Sequence, residues 1–257
     1  MGRTLARGRR RHDANRRVAT PAGARRWSLV AASLVLLAGC AATPSRTDEY
    51  LHRVELLALL QTLNADLLSH DSATLTLERW CGDHLLGADA AVATARVSAR
   101  RIRDADKPAP ADLRARLAIA EDEPLRYRRV QLACRGVVLS EADNWYVPAR
   151  LAAGMDDTLE TTDTPFGKVV APLGFQRRTL SAQLLWSPLA PGWELSAGPP
   201  VADAAGAPLR IPHAVLQHRA ILVAADGTPF AALIETYSGE LLRFGAWQQY
   251  RNEETTD

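Results

Sequence analysis

Lysine is almost missing from this chain: Lys107 and Lys168 are the only two among 257 residues, so arginine carries nearly all of the positive charge. Cysteine is scarce too. Cys40, Cys81 and Cys134 allow at most one intramolecular disulfide and form no C-x-x-C pair of the redox or zinc-binding kind. The G-x-S-x-G elbow of one large hydrolase class is absent, as are the phosphate-cradling G-x-x-x-x-G-K-[ST] loop, the dinucleotide-binding G-x-G-x-x-G turn and the zinc motif H-E-x-x-H. His213 and His218 are five apart, which puts them on opposite faces of a strand, so no metal site is expected. No repeat is visible. The longest charge-free apolar core, residues 27–39, is 13 residues long, short of the ~20 that a membrane-spanning helix needs.

What is present is an ordinary globular balance, 47% hydrophobic and 23% charged. The formal charge of +2 averages two unlike pieces. Residues 1–39 hold nine arginines and one acid; without them 22 basic and 28 acidic residues remain, a net charge of −6. An acidic folded part repels phosphate, so no nucleic-acid partner is expected. The basic stretch followed by a short apolar core reads as a signal peptide. Its end, Leu37-Ala38-Gly39-Cys40, resembles a bacterial lipobox, which implies lipidation at Cys40. Ala41 follows instead of an aspartate, and the resemblance then implies the periplasmic face of the outer membrane. The expected organisation is a signal peptide at 1–39, a lipidated tether at 40–47 and one domain at 48–250.

In that domain, Tyr50, Leu51, Val54, Leu57, Ala58 and Leu60 recur at helical spacing, so 48–68 is expected as a helix with Thr47 as its N-cap. Ser72 should cap a second helix over 73–80, and a third is expected at 111–119. Residues 83–110 are mixed. Arg128, Val130, Leu132 and Cys134 alternate, so 126–134 reads as a strand whose inward face they share; Arg135-Gly136 is a turn, and 137–147 returns as a second strand. A helix is expected at 149–159 and a strand at 175–186. Residues 188–208 hold five of the 15 prolines and read as an irregular loop. The segments 218–224 and 229–237 flank Asp226-Gly227 and read as a hairpin. Helices first and hairpin-linked strands after them predict an α+β fold with an antiparallel sheet.

Three segments, Tyr127 to Gly136, Thr164-Pro165-Phe166-Gly167, and Arg219 through the hairpin to Thr236, resemble the chorismate pyruvate-lyase family over about residues 120–240. That fold is shared with the effector-binding (UTRA) domains of transcriptional regulators. The resemblance implies that Arg128, eight residues before the turn glycine, and the backbone at Phe166 and Gly167 hold a carboxylate. It also implies that Glu235 assists proton transfer, with no cofactor. Two carriers of function follow: a lyase that eliminates pyruvate from an enolpyruvyl ring acid, or a module that binds a small aromatic carboxylate without chemistry. A structural envelope lipoprotein is the third reading.

Read from the residues alone, Arg128 either clamps a carboxylate or pairs with Glu141 or Asp143 on the returning strand. Glu235, flanked by apolar residues, is either a proton carrier or half of a salt bridge. A two-residue Asp226-Gly227 loop sets it opposite His218; a three-residue loop centred on Gly227 sets it opposite Arg219. Trp145 and Tyr146 are candidate walls for a ring, Arg219 is a further candidate ligand contact, and Asp143 and Asn144 are secondary polar contacts. One member of Arg177-Arg178 should point inward. Cys81 and Cys134 are either a disulfide, favoured by an oxidising compartment, or two buried thiols.

Overall fold

The computed structural model describes residues 46–85, 96–103, 105–120, 122–195 and 209–243. The signal peptide, Cys40, most of the tether and most of the proline-rich loop lie outside these. Among these residues five α-helices and six strands succeed one another: α1 (Arg46–Leu68), α2 (Ala73–Trp80), β1 (Val97–Ile102), α3 (Ala111–Arg116), β2 (Arg126–Cys134), β3 (Val137–Tyr146), α4 (Met155–Thr161), α5 (Phe166–Val169), β4 (Gln176–Leu184), β5 (Ala214–Val223) and β6 (Pro229–Ser238). The strands form one antiparallel sheet in the order β1-β2-β3-β6-β5-β4. The fold is α+β with N-terminal helices, as the order of patterns in the sequence predicts. No helix among the described residues is long and apolar enough to cross a membrane.

α1 runs unbroken because no glycine or proline interrupts it. Its buried stripe is Leu56, Leu60, Leu63 and Leu67, each about one turn from the next. The expected stripe was displaced: Leu51 is 55% exposed, and Thr47 lies inside the helix and not at its cap. Leucine is so frequent along this helix that two adjacent faces fit the period. α2 matches its expected bounds, with the Ser72 hydroxyl accepting from the Leu75 N–H at 3.4 Å. Of its two leucines, Leu77 is buried and Leu75 faces solvent.

α1, α2 and α5 cover one face of the sheet. The leucines of α1 meet Val130, Leu132 and Ala142, while Phe166 of α5 meets Leu222 and Leu233. Each fully buried side chain of this size contributes about 1.5–3 kcal/mol. α3 covers part of the other face, where Leu113 and Leu117 pack with Trp145, Ile221 and Ala232. Cys81, just past α2, and Cys134, the last residue of β2, are joined as a disulfide with their Cα atoms 6.5 Å apart, which fastens the helical layer to the sheet.

Three further segments differ from expectation. β1 falls in the stretch read as mixed; it is a short edge strand, burying Val97 and Ala99 and exposing Ser98 and Arg100. The helix expected at 149–159 is split: a single turn at Pro148–Arg150 ends where Leu151 is extended, and Gly154, with a left-handed φ of +79°, precedes the start of α4. The third helix stops at Arg116, just before Ala118, which also has a positive φ.

The last hairpin sets the site. Gly227 N–H donates to the Ala224 carbonyl, with Gly227 at φ +88°, and Ala224 N–H donates to Thr228. The loop is therefore three residues, 225–227, centred on Asp226, and neither expected loop forms. Leu222 pairs with Ala231 and Val223 with Pro229, leaving Phe230 as a bulge. That extra residue shifts the register by one and brings His218 opposite Glu235.

Candidate functional site

Alternation along each strand decides which side chains meet under α2 and α5. β2 presents Arg128, Val130 and Leu132; β3 presents Ala142 and Asn144; β6 presents Leu233, Glu235 and Tyr237; β5 presents His218 and Leu222; β4 presents Arg177. Where this face meets the start of α2 and the Pro165-Phe166-Gly167 turn lies a cleft, whose empty space together with its open mouth is about 390 Å³. Phe166, Gly167, Asn144, Arg177 and Glu235 line it, together with Ser72, Thr74 and Asp71. The roof is tight at Gly167: a Cβ there would lie 3.1 Å from Ser72 Oγ and 3.2 Å from Thr74 Oγ1. Glycine is what allows the turn to approach α2 so closely.

Glu235 is committed. Its Oε2 takes Arg177 Nη2 at 2.5 Å and the Tyr237 hydroxyl at 3.2 Å, and the ion-paired side chains are only 3% and 8% exposed. Burial works against the charged form of Arg177, but the charge of Glu235 outweighs it and the net shift is upward. Burial, then the same carboxylate, raises the Tyr237 hydroxyl well above its ordinary value. Beside the pair, His218 is fully buried, with Nε2 2.9 Å from Asn64 Oδ1 of α1 and its ring edge-on to Tyr237. Burial, then the Arg177 charge, pushes His218 down to about 4, against an opposing pull from Glu235. The ring is neutral at pH 7, and the proton sits on Nε2, since Asn64 offers an oxygen there.

Arg128 is 1% exposed on the same face, yet it does not line the cleft. Its Nη2 donates to the Thr162 and Thr164 carbonyls, at 3.4 and 3.3 Å, just ahead of the Pro165-Phe166-Gly167 turn. Arg128 thus positions the turn that does line it. Neither strand-mate expected as its ion partner reaches it, because both face the other way. Asp143 accepts from Tyr127 and Lys107, and Glu141 accepts from Arg129 and Gln131. Burial, followed by repulsion from Arg101, lowers the Arg128 pKa from the usual arginine value, though guanidinium stays protonated in any case.

Two of the proposed ligand contacts belong to the opposite face. Trp145, one residue from Asn144, packs on α3 and donates its indole N–H to the Lys107 carbonyl at 2.7 Å. Arg219, one residue from His218, holds both carboxylate oxygens of Asp112 at 2.9 and 2.7 Å. Tyr146 shares the cleft's face but turns its hydroxyl to Asp156 and Glu160. Of the inward arginine pair, Arg177 is the inward member. Asn144, a secondary candidate, is central. Asn64 and Tyr237 were not singled out; Tyr237 lies two residues beyond Glu235, the spacing that shares a strand face. Among the described residues no group of three His, Cys, Asp or Glu side chains is placed to hold a metal ion.

Arg177 Nε and Asn144 Nδ2 are both buried without a hydrogen-bond partner, as are Nε and Nη1 of Arg128. Arg128 and Asn144 are direct cross-strand partners. The cleft lining therefore combines unpaired donors on Asn144 and Arg177 with the apolar side chains of Phe166, Phe175, Leu222 and Leu233.

No family model matches the chain. Among solved structures it is similar to the possible transcriptional regulator YydK of Bacillus subtilis, with TM-score 0.36 and 20% identity over 58% of this chain and 61% of that one. It is also similar to PhnF of Mycobacterium smegmatis, with TM-score 0.37 and 15% identity over 58% and 61%. The effector domain of PhnF alone gives TM-score 0.36 and 15% identity over 56% and 82%. The chain thus spans about three fifths of the YydK and PhnF chains. A curated sequence, the "Uncharacterized protein y4mC" of Sinorhizobium fredii, is 50% identical over 196 residues, which is 76% of this chain and 80% of that protein. With half of those residues shared over most of both chains, this chain belongs to the family of y4mC.

Proposed function

We propose that this chain is an exported, lipid-anchored binding protein that holds a small molecule in the cleft between the sheet and the α2–α5 layer, without lyase chemistry. The observation that carries this reading is the state of the two residues that a lyase would need. Glu235 is closed into a buried ion pair with Arg177, and the same oxygen also takes the Tyr237 hydroxyl, so its carboxyl group is already engaged within the protein. Arg128 is turned to the carbonyls of Thr162 and Thr164. What remains available is a cleft with unpaired donors on Asn144 and Arg177, the makings of recognition.

The segments that resemble the lyase and UTRA folds support the binding reading, since Phe166, Gly167 and Glu235 gather around one cleft. Lipidation at Cys40 and placement on the periplasmic face of the outer membrane rest on Leu37-Ala38-Gly39-Cys40. The Cys81–Cys134 disulfide agrees with an oxidising compartment. Several acyl chains, at about 0.8 kcal/mol per buried CH₂, suffice for stable anchoring.

Two assays test the reading together. Pyruvate release from chorismate, followed with purified protein, should not exceed the uncatalysed rate, while a screen of small acids by thermal shift should raise the melting temperature. Turnover abolished by Glu235→Gln would establish the lyase instead. For the anchor, Cys40→Ser should release the protein from the membrane fraction; retention of the variant there contradicts lipidation at Cys40.

A further inference from the structure

The buried charges around the cleft do not balance. Three ionised side chains are buried there: Arg128 at 1% exposure, Arg177 at 3% and Glu235 at 8%. Arg177 and Glu235 cancel each other. Arg128 meets two carbonyl oxygens and no carboxylate. The acids nearest to it do not compensate, since Glu160 pairs with Arg101 at 2.8 Å and Asp163 is exposed. Asp71 is exposed at the mouth, where its carboxylate accepts from the Arg177 backbone N–H. The buried interior therefore carries an excess of one positive charge. A buried guanidinium without a counter-ion is costly, and an anion in the adjacent cleft would relieve it.

The unpaired donors indicate where that anion would lie. Asn144 Nδ2 and Arg177 Nε both belong to cleft-lining residues, are buried, and have no partner. Arg128, with Nε and Nη1 free, stands directly across the strand pair from Asn144. Carboxylate oxygens accept strongly from donors of this kind. The walls are apolar, with Phe166, Phe175, Leu222 and Leu233 available to a hydrocarbon body.

We propose that the cleft takes a small monocarboxylate, its acid group received by Asn144 Nδ2 and Arg177 Nε, with Arg128 as the balancing charge behind them. This rests on the binding reading above and sharpens it. One negative charge brings the buried set to neutrality; a second leaves an uncompensated anion. A dicarboxylate, the charge type of an enolpyruvyl ring diacid, is accordingly disfavoured. The assignment also moves acid recognition away from Arg128, which acts through its field and through the turn it holds.

The test is calorimetric titration of the full chain, purified in detergent so that any lipid anchor is kept, with benzoate, neutral benzamide and doubly charged isophthalate. Benzoate should bind at least about tenfold more tightly than benzamide, since hydrogen bonds to a charged acceptor add that much or more, and isophthalate should bind more weakly than benzoate. Asn144→Leu should cost benzoate about tenfold and benzamide less, since a neutral carbonyl accepts the lost hydrogen bond more weakly than a carboxylate. If that variant does not fold, Arg177→Lys serves: its ammonium can still meet Glu235 but offers no Nε–H, and the same loss is expected. Benzamide binding as tightly as benzoate, or isophthalate binding more tightly, overturns the monocarboxylate assignment and leaves a binding protein of another specificity. Binding of none of the three overturns the monocarboxylate assignment, while the binding reading stands or falls separately on the thermal-shift screen of small acids.

Discussion

Replacing Glu235 by leucine should be among the most damaging single changes in the protein, and replacing Arg177 at the same time should largely cure it. The pair is 3% and 8% exposed, with 2.5 Å between Nη2 and Oε2, so solvent screens it little. Removing the carboxylate strands a guanidinium that cannot shed its proton, at a cost of about 3–5 kcal/mol. Arg177→Met should cost less, because a stranded carboxyl can take up a proton. The double variant Arg177→Met/Glu235→Leu should return to within about 1 kcal/mol of the parent, because an apolar pair avoids the desolvation that the ion pair has to overcome. These are large shares of a domain's usual ~5–15 kcal/mol. Urea denaturation at pH 7, followed by tryptophan fluorescence, measures all four proteins and closes the cycle. A Glu235→Leu cost below about 1 kcal/mol, or a double variant whose loss equals the sum of the singles, would refute the claim that the pair is buried and mutually dependent.

Three further outcomes are expected. His218 is held at about 4 in the folded protein against 6.5 for the free side chain, so between those values the unfolded chain binds more protons; stability should fall as pH drops from about 6.5 toward 4, and His218→Gln should flatten that part of the curve. Gly239→Ala should lower the melting temperature sharply, since a Cβ would collide with the Pro212 carbonyl oxygen and lie 2.6 Å from Ile211 Cγ2; overpacking of this kind costs about 1–3 kcal/mol, and an unchanged melting temperature contradicts the packing. Reducing the Cys81–Cys134 bond, which spans 53 residues, should cost up to about 4 kcal/mol on the chain-entropy account; two thiols alkylated without prior reduction in the denatured protein refute the bond.

The parts of the fold legible in the sequence are those where one local pattern stood alone. The Ser72 cap fixed the start of α2, and strict alternation over Arg128, Val130, Leu132 and Cys134 identified β2 and its inward face. Legibility failed where both faces of an element are covered. β3 buries Asn144 under the α2–α5 layer and Trp145 under α3, so alternation separates the two without saying which faces the cleft. The larger aromatic looked like the ligand wall, and the amide holds that place. The same ambiguity separated Arg219 from His218. Register stayed open for another reason: of the two pairings expected for Glu235, the one with His218 forms, but through a Phe230 bulge that has no signature in a run of apolar residues. Arg177 and Arg178 are neighbours on an edge strand, and only the position of Glu235 two strands away selects between them.

The most direct test of the account is nitrogen-15 chemical-shift mapping of the protein titrated with benzoate. The account predicts saturable shifts confined to the cleft, led by the Asn144 side-chain amide, the Arg177 Nε–H and the Gly167 backbone amide, with Trp145 and Arg219 on the far face of the sheet unmoved. Shifts centred on Trp145 and Arg219, or none that saturate, would contradict it.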